Sequence, residues 1–278
     1  MKKPGIGQRH VFLWVMQICF VASALAGLAG CAANSTSGGL PTAGTDITTE
    51  SDLTPARQRA QIRLDLAVGY LERNELKVAL DEVKRTITID PTFAEAYDLR
   101  GLIYVRLGDQ KLAEDSYHRA MALKPQDGRI IHNYGVMLCQ QRRYADADQA
   151  FKRALAIPTY GEKAKTLMTE GLCQMEAGQK VEAQASLEKS YQLDAGNPIT
   201  GYNLASLLFQ NNELTRAQFY IRRINNTDLA NSQTLWLGIK IERRMNHQAA
   251  VSQLGNQLEQ RFPDSSEATA YQQGKFNE

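Results

Sequence analysis

Cysteine and histidine are scarce in this 278-residue chain, four of each, and they do not cluster. No CxxC, no HExxH, no GxSxG and no glycine-rich phosphate loop occurs, which removes the common zinc, redox, acyl-transfer and nucleotide signatures. His10, His118, His132 and His247 lie far apart and read as exposed or half-buried helix residues. An excess of one charge is also missing. Lys and Arg number 32 against 30 Asp and Glu, so nothing electrostatic favours a polyphosphate backbone as partner. Strand-like alternation of apolar and polar residues is absent as well. No catalytic group, cofactor, metal, nucleic acid or small-molecule substrate is expected.

The N-terminus is distinct in composition. Lys2, Lys3, Arg9 and His10 precede the apolar run Val11–Ala29, and residues 1–30 hold no acidic side chain. This order matches a secretory leader, although 19 apolar residues are also just enough to span a bilayer. Removing the leader's three basic residues leaves 29 basic against 30 acidic. Leu28-Ala29-Gly30-Cys31 resembles the lipobox of bacterial lipoproteins, in which small residues admit the peptidase and the cysteine thiol takes diacylglycerol. Lipidation of Cys31 (diacylglycerol and palmitate) is therefore expected. Ala32, in place of the aspartate that marks inner-membrane retention in that family, points to the periplasmic face of the outer membrane. The stretch 31–55 is rich in Ser, Thr, Gly and Ala. It buries too little apolar surface to fold and reads as a tether spanning roughly 25–30 Å.

From residue 56 the chain repeats itself. Small residues stand at Ala67, Gly101, Gly135, Gly171, Ala205 and Gly238, and twelve positions after each comes an alanine, from Ala79 to Ala250. Sixteen positions after each comes Val83, Tyr117, Phe151, Leu187, Ile221 or Leu254. Three positions after comes a large apolar residue, except at the misfit Gln174. Fixed periods of this length mark solenoids. This pattern looks like the tetratricopeptide repeat: two antiparallel helices, A and B, packed closely at the small residues, with proline restarting the next pair. The expected fold is all-α, a right-handed superhelical solenoid of six such repeats over 56–263. Residues 264–278 form a C-terminal cap or tail. Pro158-Thr159-Tyr160-Gly161 adds two residues between repeats three and four, an expected kink or splay.

Cys139 and Cys173 lie on the A helices of repeats three and four. Adjacent A helices stack, so a disulfide is favoured in an oxidising compartment; two buried free thiols remain the other reading. The inner surface of such a solenoid is lined by helix A. There the candidate partner-binding residues are Leu64, Val68, Leu71, Asp98, Leu102, Val105 and Arg106, followed by His132, Val136, Gln140, Met168, Leu172, Met175, Tyr202 and Phe209. This apolar face suits a hydrophobic peptide or amphipathic segment.

Three local runs narrow the comparison: Asn133-Tyr134-Gly135-Val136-Met137-Leu138-Cys139, Glu170-Gly171-Leu172-Cys173, and Leu235-Trp236-Leu237-Gly238-Ile239-Lys240-Ile241. Together with Pro158-Thr159-Tyr160 and the lipobox, they resemble the PilF/PilW type IV pilus biogenesis lipoproteins across essentially the whole mature chain. Met137 in place of an aromatic and the long tether are departures. The resemblance implies a pilotin, a lipid-anchored outer-membrane protein that binds the secretin PilQ and promotes its localisation and multimerisation. The competing expectation is a general periplasmic scaffold that recruits peptidoglycan or outer-membrane assembly factors.

Overall fold

The structure is a computed structural model that describes Thr49 and residues 52–276. The expected leader 1–30, Cys31 and nearly all of the tether 31–55 lie outside the described residues. Among the latter are thirteen α-helices and no strand. They are α1 (Pro55–Glu72), α2 (Leu76–Ile89), α3 (Ala94–Leu107), α4 (Gln110–Leu123), α5 (Gly128–Gln140), α6 (Tyr144–Leu155), α7 (Lys163–Glu176), α8 (Lys180–Leu193), α9 (Pro198–Gln210), α10 (Leu214–Asn225), α11 (Ser232–Arg244), α12 (Gln248–Arg261) and α13 (Ser266–Gln272). The odd-numbered helices from α1 to α11 are the A helices and the even-numbered are the B helices. No described helix is long and apolar enough to cross a membrane.

Helix starts follow capping chemistry. Thr54 Oγ1 accepts from Arg57 N, with Pro55 in the first turn. Asp109, Asp127, Asn197 and Ser265 cap α4, α5, α9 and α13, and Asn231 forms a reciprocal capping box with Thr234. Each side chain satisfies amide donors that no turn of the helix can reach.

The A-to-B turn is the most regular feature. Asn74, Gly108, Arg142, Gly178, Asn212 and Asn246 all sit in the left-handed region, with φ between 59° and 81°. In each case the next residue donates its N–H back into helix A, as in Glu75 N to Tyr70 O (2.9 Å) and Glu213 N to Leu208 O (2.8 Å). This is the closure of a helix end by a left-handed residue. Asparagine tolerates it; Arg142 adopts it without a side-chain reason.

The turns also fix the phase of the last repeat. Asn212 and Asn246 are 34 apart, whereas Ala205 and Gly238 are 33 apart. Gly238 and Ala250 are thus one position early, and the structural equivalents are Ile239, Val251 and Gly255. Ile239 and Val251 are buried while Ala250 is only half-buried. Gly238 nonetheless stays buried, with a Cβ there 3.3 Å from Leu254, and Gly255 on helix B faces Tyr271 from beyond α12.

In the earlier repeats the small residue faces the side chain sixteen positions on. A Cβ added at Gly101 would stand 2.9 Å from the Tyr117 ring, at Gly135 2.8 Å from Phe151, and at Gly171 2.8 Å from Leu187. Where alanine occupies the site, at Ala67 and Ala205, the partners Val83 and Ile221 are smaller than those rings and fully buried. The sizes compensate.

The two-residue insertion does not splay its junction. Tyr160 is buried (7% exposed) and lies so close to α5 that a Cβ at Gly128 would be 2.5 Å from its ring. Its hydroxyl bonds Thr166 Oγ1 at 2.8 Å. The extra residues, Gly161 and Glu162, follow this plug and lead into α7.

Replacing Gly135 by Ala should destabilise the protein by about 1–3 kcal/mol through overpacking against Phe151. The double variant Gly135→Ala/Phe151→Ile, which copies the Ala205–Ile221 pairing, should lose less than the sum of the single variants. Urea unfolding of the four proteins would measure the coupling.

Candidate functional site: the helix A face

The A helices form the inner layer. Consecutive A helices pack directly at α1–α3, α3–α5, α5–α7 and α9–α11, and among the described residues no two B helices come as close. An array whose A helices crowd while its B helices spread curves with the A face inward.

This layer separates the candidate residues into two groups. Leu64 and Leu71 are 7% and 5% exposed, packed with Ala60, Phe93, Ala67 and Val83 in the seam between the first two repeats. They hold repeats together and are not open to a partner, which corrects their expected role. His132 is likewise buried, at 4% exposed. Val68 is exposed, Asp98, Leu102 and Val105 are half-buried, and Arg106 is exposed, with Nη1 donating to Leu71 O at 3.2 Å. Farther along, Val136, Met168, Leu172, Met175, Tyr202 and Phe209 are half-buried and Gln140 is exposed. The accessible surface is therefore an apolar strip of partly covered side chains, the profile of a face that gains by further burial.

Polar bonds cross the same layer one repeat apart. Both Asp98 oxygens accept from Asn133 Nδ2, at 3.1 and 3.0 Å. Burial pushes the Asp98 carboxyl up to about 6, and the Asn133 amide opposes that rise. His132 Nδ1 lies 2.9 Å from Thr166 Oγ1, the hydroxyl that also meets Tyr160. Burial and the charge of Lys165 hold His132 down to about 4. Sequence alone makes this histidine both a half-buried helix residue and an inner-face candidate; the one signal of its burial is a hydrogen-bonding residue 34 positions later.

Cys139 and Cys173 are joined, with Cα atoms 5.9 Å apart, linking α5 to α7. Beside them Gln174, the misfit in the apolar pattern, donates to Asp148 Oδ1 (3.3 Å) and accepts from Ser186 Oγ (2.8 Å). Two polar partners replace the apolar contact that other repeats make there. Glu170 is 4% exposed. Burial, and then the neighbouring Asp148 charge, raise its carboxyl to about 7. Among the described residues no group of three or more His, Cys, Asp or Glu could hold a metal ion.

Two outcomes follow. Reducing the disulfide, which closes 34 residues, should lower stability by about 3–4 kcal/mol in the chain-entropy description, measurable by urea unfolding with and without reductant. Glu170 is harder to ionise folded than unfolded, so its effect is a loss of stability as pH rises from the ordinary carboxylate range through about 7. Glu170→Gln should thus exceed wild type by about 2–3 kcal/mol at pH 8 and match it near pH 4, as a pH series of unfolding curves would reveal.

A tetratricopeptide-repeat family model matches residues 94–127. The type IV pilus assembly protein PilF of Pseudomonas aeruginosa is 27% identical over 212 residues, 76% of this chain and 84% of PilF. A solved structure of Pseudomonas aeruginosa PilF superposes with a TM-score of 0.68 at 26% identity, covering 78% of this chain and 99% of that one. That of PilW, described as a widely conserved type IV pilus biogenesis factor, gives 0.66 at 27% identity, covering 77% and 98%. The likeness extends over the repeat array, and the chain is accordingly a tetratricopeptide-repeat homologue of the type IV pilus biogenesis proteins PilF and PilW.

Proposed function

We propose that this protein acts in type IV pilus biogenesis as a lipid-anchored pilotin. In this reading Cys31 carries diacylglycerol and palmitate, the acyl chains hold the protein on the periplasmic face of the outer membrane, and the helix A face binds the secretin PilQ. The observation that carries it is the likeness to PilF over 84% of that protein's length, joined here to a run at Leu28–Cys31 that resembles a lipobox. No reaction is needed. The work is anchoring plus protein binding, which turns a bimolecular encounter between secretin subunits into a local one at high effective concentration. Two acyl chains suffice for stable anchoring where one does not. The strip at Leu102 and Val105 offers the apolar surface, and Asp98, with acceptor capacity beyond its bond to Asn133, offers a place for a partner's donor.

The test is secretin state in outer-membrane fractions of a deletion strain complemented with variants. Wild type should restore heat-stable multimers, Cys31→Ala should leave the protein and the secretin mislocalised, and Leu102→Glu/Val105→Glu should cut multimers by roughly tenfold while the protein stays folded. Normal multimers in the deletion strain, with altered cell-wall or porin phenotypes, would overturn the pilotin reading in favour of a general scaffold.

A further inference from the structure

Beyond α12 the chain folds back onto the last A helix. Ala268 of α13 enters the core formed by Ile239, Val251 and Leu258, and Tyr271 fills the space left by Gly255, where a Cβ would be 2.0 Å from its ring. Gly274 then reverses the backbone at φ +66°, with Lys275 N donating to Ala270 O at 2.9 Å. This delivers Phe276 onto α11. Its ring stacks on Trp236 with centroids 5.4 Å apart and planes 25° from parallel. The Arg243 guanidinium lies 3.8 Å from the centroid of the same ring. Lys240 Nζ is 5.6 Å from the Trp236 ring.

We propose that Trp236, Lys240 and Arg243 form a docking seat for an aromatic side chain flanked by carboxylates on a partner protein, and that Phe276 is its removable occupant. The site lies on repeat six and is independent of secretin binding at the first repeats. The chain itself displays the ligand chemistry: a flat ring between an indole and a guanidinium, an arrangement that both stacking and cation–π attraction favour. Charge supplies the rest. Lys240, Arg243 and Arg244 fall within about one turn of α11, and none forms a salt bridge among the described residues; Glu267 is the carboxylate whose charge reaches Lys240. Ala268 and Tyr271 anchor α13 on the near side of Gly274, and Phe276 beyond it meets Tyr271 edge-on with centroids 6.2 Å apart, so its departure removes that ring contact while the Tyr271–Gly255 and Ala268 packing stays.

Trp14 and Trp236 are the only tryptophans, so full-length protein carrying Trp14→Phe reports on the seat through a single indole. The probes are acetyl-Asp-Phe-Asp-amide and its alanine counterpart. Phe276→Ala should red-shift Trp236 emission, and the phenylalanine peptide should reverse that shift, binding roughly tenfold more tightly than it binds the chain with Phe276 in place. Adding Arg243→Gln should abolish the gain, and the alanine peptide should bind neither protein. Circular dichroism establishes that the variants remain folded. Phe276→Leu keeps bulk over Trp236 should alanine loosen the cap, and is expected to change affinity in the same direction by less. Equal affinity with and without Phe276, or equal binding of the two peptides, would overturn the proposal and leave Phe276 as cap packing alone.

Discussion

Each repeat closes around one close approach, where helix A presents little or no side chain and helix B presents a large one. Burying a ring such as Phe151 or Tyr117 against bare backbone removes apolar surface from both helices and sets how closely they approach. The crossing of each pair follows from that separation, and the stacking of one pair on the next follows from the crossing. Sizes trade off in most repeats, glycine standing opposite an aromatic ring and alanine opposite valine or isoleucine, with Gly171–Leu187 a smaller pair. Repeat six adds a second close approach of this kind. Gly255 on its B helix receives Tyr271 from beyond the array, which is how a solenoid can end without leaving its last apolar face bare.

Because that approach repeats at a near-constant interval, the architecture was largely legible in the sequence, and helix ends fell within a few residues of expectation at Asn74, Gly108, Gly178 and Asn212. What sequence could not resolve were features that depend on distance between repeats. The one-residue displacement at Gly238 required the left-handed turn at Asn246 as a reference. Tyr160 read as part of a loosening insertion because nothing local distinguishes a plug from a loop. Leu64 and Leu71 share offsets with open-face residues in other repeats, yet the seam between the first two repeats covers them. Burial at such positions is decided by the neighbouring repeat, not by the residue's own helix.

The inner layer is stitched by side chains standing one repeat apart: Arg106 to the Leu71 carbonyl, Asp98 to Asn133, His132 to Thr166, and Cys139 to Cys173. Asp98 and His132 bury polar groups only as far as their partners satisfy them. The apolar residues between remain half-covered. A face built in this way is held in shape before any ligand arrives, so little ordering is left for binding to impose on it.

The disulfide has a mechanical corollary. A tetratricopeptide array pulled at two points along its chain is under tension between them. A solenoid stretched in this manner peels from its ends, repeat by repeat. The covalent loop between repeats three and four withholds about 110 Å of contour from any such extension and stands as a barrier in the path of a peeling front. Repeats on either side can yield while the middle of the array keeps its curvature, so load would be absorbed at the two ends and the central face would stay in register.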